Sequence, residues 1–158
     1  MTIRELVLRI QDRPGELARI IGHLYENDVK VSAFWVGAEN KKGTLRFIAS
    51  DPGAAVSVLT GLGFKVATMD VIAAQVPDHP GGLHAVLGSL KEARINVQQL
   101  YSYLGKSGQH AILILVVDDS KVSRALTCRM LQKQNYRTLE ARDGKEALEI
   151  LEANPEVQ

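Results

Sequence analysis

The feature that most constrains this 158-residue chain is an internal repeat. Asp12, Pro14, Gly15 and Leu17 recur as Asp78, Pro80, Gly81 and Leu83, each 66 positions later. The offset persists downstream: Ile20, Ile21, Gly22 and Leu24 reappear as Val86, Leu87, Gly88 and Leu90, and Val29 and Val31 as Ile95 and Val97. Two copies of one unit are the simplest explanation, so the fold question reduces to the unit.

Within a copy, Leu17, Ile20, Ile21 and Leu24 fall at i, i+3, i+4 and i+7, one stripe of an amphipathic helix beginning near Pro14; Leu83, Val86, Leu87 and Leu90 do the same. Asp12 and Asp78 precede prolines whose fixed φ suits a first helical turn. Each aspartate is therefore expected to accept from orphan amides at or near the N-cap. Strand-like runs lie before each helix, at 5–10 and 70–76, and after it, at 30–36 and 96–103. Gly, Asn and Lys cluster at 39–43 and 105–108, as in hairpin turns.

In the first copy, 44–49 reads as a third strand, 53–62 as a short helix and 65–76 as a strand leading into copy two. The order is βαββαβ, which specifies an α+β, ferredoxin-like antiparallel sheet with both helices on one face. With no Pro/Ser-rich linker, the copies are expected to pack together as domains 1–69 and 70–141, followed by an extra helix within 142–158. The aromatics Phe34 and Trp35, matched by Leu100 and Tyr101, are expected to fill the core or an interdomain face.

The Asp-x-Pro-Gly-x-Leu run, its glycine at the head of the first helix and the βαββαβ order together resemble the ACT domain, here in tandem over roughly 3–117. The resemblance implies a regulatory module that binds amino acids across a domain or subunit interface, using this loop and a polar residue at the start of the second strand. Asn96 matches that polar position in copy two, whereas copy one has Lys30. The implied ligand-binding residues are Asp12, Pro14, Gly15, Glu16 and Leu17 from one loop, Asp78, His79, Gly81, Gly82 and Leu83 from the other, and Asn96. The chemistry is consistent. A carboxylate suits unpaired amides at the positive end of a helix, approached closely at Gly15 and Gly81, while Asp12 or Asp78 suits an ammonium. Helix capping alone would account for the same loop.

Copy two departs from copy one toward its end. The run 111–117 is seven apolar residues, where 44–49 contains Arg46. Such a run suits a strand covered on both faces, the signature of α/β architecture rather than a one-sided sheet. From Ile114 through Asp118, Asp119 and Ser120 to Asp143, Gly144 and the helix-like 145–153, the chain resembles the opening of a response-regulator receiver domain. That resemblance implies a residual Mg²⁺ site at Asp118 and Asp119. The family's phosphoacceptor and lysine have no counterpart here, so no phosphoryl transfer is assembled. Capping ahead of a stripe formed by Val122, Ala125, Leu126 and Met130 is the favoured role of the two acids. Three readings follow: a piece of a longer protein, a fusion at a shared βα unit, or a tandem ACT whose end is receiver-like. In the last, 120–135 and 137–141 supply copy two's second helix and final strand.

Composition narrows the function. Nineteen Lys and Arg against 18 Asp and Glu give a formal charge of +1, which disfavours nucleic-acid and anionic-membrane partners. A single cysteine, Cys128, and no zinc spacing fit a reducing, cytoplasmic compartment. Residues 1–9 alternate charged and apolar, unlike a leader, and no apolar run approaches the roughly 18–20 residues of a membrane span. No nucleophile, base and orienting group stand at related positions, so no enzyme activity and no cofactor beyond weak Mg²⁺ are expected. The expectation is a non-catalytic regulatory module, binding a small amino-acid-type ligand and forming a homodimer. The alternatives are a sensor with a truncated phosphorelay receiver and a ligand-blind dimerisation module.

Overall fold

A computed structural model describes residues 3–39, 41–104, 110–117, 121–133 and 135–139. The elements run β1 (Ile3–Gln11), α1 (Glu16–Glu26), β2 (Val31–Glu39), β3 (Lys42–Ala49), α2 (Pro52–Gly61), β4 (Val66–Pro77), α3 (Gly82–Glu92), β5 (Val97–Leu104), β6 (His110–Val117), α4 (Lys121–Lys133) and β7 (Arg137–Leu139). Two compact units divide within β4, between Asp70 and Val71.

In the first unit the strands are ordered β2-β3-β1-β4. β1 and β2 both run antiparallel to β3, with Leu6 opposite Phe47 and Leu8 opposite Leu45. Period-2 alternation sends Leu6, Leu8, Ile10, Leu45, Phe47 and Ala49 to one face. There they meet Ile20 and Leu24 of α1 and Ala55 and Leu59 of α2, so both helices cover the same side. The second unit repeats the plan. β6 lies antiparallel between β4 and β5, and β7 pairs with β4 on its other edge. Ile72, Ala74, Leu113 and Leu115 face Val86 and Leu90 of α3 and Cys128 and Leu131 of α4. This is the α+β, ferredoxin-like arrangement anticipated from the element order.

Four helices close in one way. After α1, α2, α3 and α4, the residues Asp28, Gly63, Arg94 and Asn135 take positive φ (58°, 85°, 55° and 60°). Each donates its N–H three residues back while its successor reaches five back, as in Val29 to the Leu24 carbonyl (2.9 Å) and Ile95 to Leu90 (2.9 Å). This is the Schellman closure, with Val29, Phe64, Ile95 and Tyr136 turning apolar side chains back toward the core.

Three expectations need correction. Residues 111–117 are buried throughout, yet β6 is antiparallel to both neighbours; burial on both faces does not demand parallel pairing. Among the described side chains of α4, Thr127, Cys128 and Leu131 are buried, while Ala125 and Leu126 are exposed. The buried face is thus turned by roughly 170° from the expected stripe at about 100° per residue, although Met130 of that stripe packs partly buried against the second core, and Cys128 and Leu131 reach β4 and β6. On α3, Val86 and Leu90 are buried but Leu83 (46% exposed) and Leu87 are not. Residues 105–108, Asp118, Asp119 and 142–158 lie outside the described residues.

Candidate functional site

The two glycine-headed helix starts differ in construction. At α1, Gly15 is the N-cap residue with φ +84°, and no side chain caps the helix. The chain reaches it from Asp12, whose amide donates to the Lys41 carbonyl (3.4 Å). Glu16, the first helical residue, is only 4% exposed. Its Oε2 accepts from Arg13 Nη2 (2.7 Å) and Nε (2.9 Å), and its Oε1 accepts from Arg19 Nη2 (2.9 Å). Hydrogen bonds from Arg19 and then Arg13 hold this carboxyl below its ordinary range, against an opposing push from desolvation. Arg19 in turn lies 5.3 Å from the Phe64 ring centroid. Both carboxylate oxygens of Glu16 are therefore engaged within the protein, and Leu17 packs against the first core.

At α3, Gly81 is the N-cap with φ −145°, again without a side-chain cap. The amides of Gly81 and Gly82 both donate to the His79 carbonyl (2.7 and 3.0 Å). This corrects the expectation of a free amide at Gly81: the amides left over belong to the first turn that follows, beginning at Leu83. Gly82 is buried, and any Cβ there would collide with the Pro77 carbonyl oxygen, so its lack of a side chain serves close packing. Asp78, His79 and Leu83 are exposed around this turn. Neither Asp12 nor Asp78 caps its helix. The cap position falls three residues later, on the glycine, beyond the reach of a capping aspartate, which must itself occupy the cap.

Asn96 stands immediately before β5, beyond the far end of α3. An 11-residue helix is about 16 Å long, so within one unit Asn96 and the Asp78–Leu83 turn occupy opposite ends. Arg13 and Arg19, which organise Glu16, were missed in the sequence reading. The signal was present as Arg-x-x-Glu-x-x-Arg: Glu16 and Arg19 form an i, i+3 pair on α1, and Arg13 approaches from the turn before it. Phe34, expected to be covered, is 58% exposed, because β2 is an edge strand of its sheet among the described residues. Among the described residues no group of three His, Cys, Asp or Glu side chains could hold a metal ion, and no helix is long and apolar enough to cross a membrane.

Two βαββαβ units, each with an uncapped, glycine-headed helix after its first strand, define a paired small-domain module. The ACT domain pair family matches residues 1–143, and the chain belongs to it. No curated protein sequence is similar to this one at the level at which relatedness is accepted. Among solved structures, a protein from Bacteroides thetaiotaomicron shares the fold with a TM-score of 0.82 at 24% identity, over 92% of this chain and 97% of that one. The ligand-free regulatory subunit of aspartate kinase from Thermus thermophilus gives a TM-score of 0.61 at 14% identity, over 82% and 90%. The alpha and beta subunits of an aspartokinase give 0.55 at 18% identity, also over 82% and 90%.

Proposed function

We propose that this chain is a non-catalytic regulatory module that binds an amino-acid-type small molecule at its glycine-headed helix starts. The observation that carries the reading is the recurrence, in an ACT domain pair, of helices α1 and α3 that begin at glycine without a side-chain cap. Uncapped first-turn amides at the positive end of a helix attract a carboxylate. Asp12 and Asp78, released from capping, provide acceptors for an ammonium. Since Asn96 and the Asp78–Leu83 turn lie at opposite ends of α3, a ligand touching both needs walls from two different units or from two chains of a cytoplasmic homodimer. Regulation follows as a population shift: a ligand gripping both walls favours the arrangement that brings them together. The segment from Ile114 then serves as the last strand, helix and strand of copy two, with Asp118 and Asp119 as candidate caps of that helix that keep only residual Mg²⁺ affinity.

A thermal-shift panel of the twenty amino acids tests this. One or a few should raise the melting temperature saturably, since a ligand that binds only the native state stabilises it. Gly81→Val should abolish the shift with little change in the unliganded melting temperature. Gly81 has an ordinary negative φ, and a Cβ there meets only His79, at 3.4 Å. A flat panel, or an unchanged response in the variant, overturns the assignment. A ligand-blind association module is the second reading, favoured by exposed Phe34 and Val36 on edge strand β2. It predicts concentration-dependent sedimentation that Phe34→Lys abolishes.

A further inference from the structure

A different face of the first unit carries a second candidate site. On the side of β1, β2 and β3 opposite the helices, the register sets three cross-strand rows: Val7, Arg46 and Trp35; Arg9, Thr44 and Gly37; Gln11, Lys42 and Glu39. The middle row lacks a side chain at Gly37, and Trp35 fills that space. A Cβ at Gly37 would stand 2.7 Å from Trp35 Cζ2 and 3.2 Å from Cζ3, so the indole lies across the strand instead of standing away from it. Beside it, Arg9 donates from Nη1 to Thr44 Oγ1 (2.6 Å), which fixes the guanidinium and leaves its other donors directed elsewhere. Arg9, Trp35, Gly37, Glu39, Lys42 and Thr44 line an open cleft of about 920 Å³, within the range of small-molecule sites.

We propose that this cleft binds a small aromatic carboxylate, its ring against the indole of Trp35 and its carboxylate on Arg9 and Lys42. The half-buried indole supplies a rigid planar wall. The guanidinium fork suits a carboxylate. Two cations set against the single carboxylate of Glu39 leave one net positive charge, which matches a monoanion and disfavours polyphosphates. The site does not use the Gly15 or Gly81 turns and stands whether or not an amino acid binds there.

Trp35 is the only tryptophan in the chain, so its fluorescence reports on the cleft directly. Titration of the full chain with phenylacetate should quench or shift the emission saturably, whereas acetate, lacking a ring, and benzyl alcohol, lacking a charge, should not. Arg9→Gln should weaken the apparent affinity about tenfold, as expected for loss of a charge-assisted contact, with an unchanged far-UV circular dichroism spectrum. Gly37→Ala, which displaces the indole, should abolish the response, and Gly81→Val should leave it intact. The proposal fails if phenylacetate gives no saturable response, if benzyl alcohol matches it, if Arg9→Gln binds as well as the parent chain, or if Gly81→Val removes the signal.

Discussion

Glu16 shows how a single side chain can be committed before any ligand arrives. Its carboxylate is buried, yet it is held ionised by Arg19 and Arg13. A folded-state pKa below the unfolded value contributes stability that is present above the unfolded pKa, near 4.5, and is lost as pH falls through the lowered folded value. Glu16→Gln should therefore reduce the denaturation midpoint at about pH 7 and converge on the parent chain at about pH 2. Parallel curves at all pH values would remove the ion pairs from the account. Arg94 makes the complementary case on the backbone. It sits at φ 55° after α3, where only the absence of a Cβ is comfortable. Arg94→Gly should stabilise the chain by up to about 1 kcal/mol, the left-handed penalty relieved less the entropy glycine adds to the unfolded state. Urea denaturation measures it, and a loss of stability would show that the Arg94 side chain outweighs the strain.

At the scale of elements, what could be read from the sequence was whatever depends on spacing. The stripe of α1 and the alternation of β1 and β3 follow from 3.6- and 2-residue periods, and the 66-residue offset doubled the signal, although on α3 only Val86 and Leu90 of the repeated stripe are buried. What depends on neighbours was not legible. The helix α4 offers two nearly opposite faces, and the sequence does not say which one β4 and β6 accept; the face carrying Thr127, Cys128 and Leu131 is buried and Leu126 is left out. Capping failed for a similar reason: the aspartates fit the cap chemistry, but the chain bends through Arg13–Gly15 and hands the cap to glycine. The row of Trp35, Gly37 and Glu39 against Arg9, Thr44 and Lys42 was available from strand alternation once the strands were paired, and only the pairing was lacking. Leu131→Ala, which deletes a fully buried side chain, should cost about 2–5 kcal/mol. Leu126→Ala, on the exposed side of the same helix, should change stability by less than about 0.5 kcal/mol. Equal costs in calorimetry would mean that α4 sits in the other rotation.

For the whole molecule, the decisive element is β4. Its early residues lie in the first unit, where it neighbours β1, and its residues from Ile72 onward pair with β6 and β7 in the second. β4 is one continuous strand, Val66–Pro77, that crosses the division at Asp70–Val71. The chain should then unfold as one cooperative transition although it has two separate cores. Trp35 lies in the first unit, which makes the coupling measurable. Leu90→Ala, a truncation confined to the second core, should cost about 2–5 kcal/mol and should move the Trp35 fluorescence transition by the same amount as the far-UV circular dichroism transition. Coincident shifts mean that damage in one unit is felt in the other through β4, which is the mechanical property a two-domain sensor needs to pass a binding event along its chain. If the circular dichroism curve splits and the fluorescence midpoint stays at the parent value, the units unfold independently. A regulatory signal would then have to travel through contacts between chains.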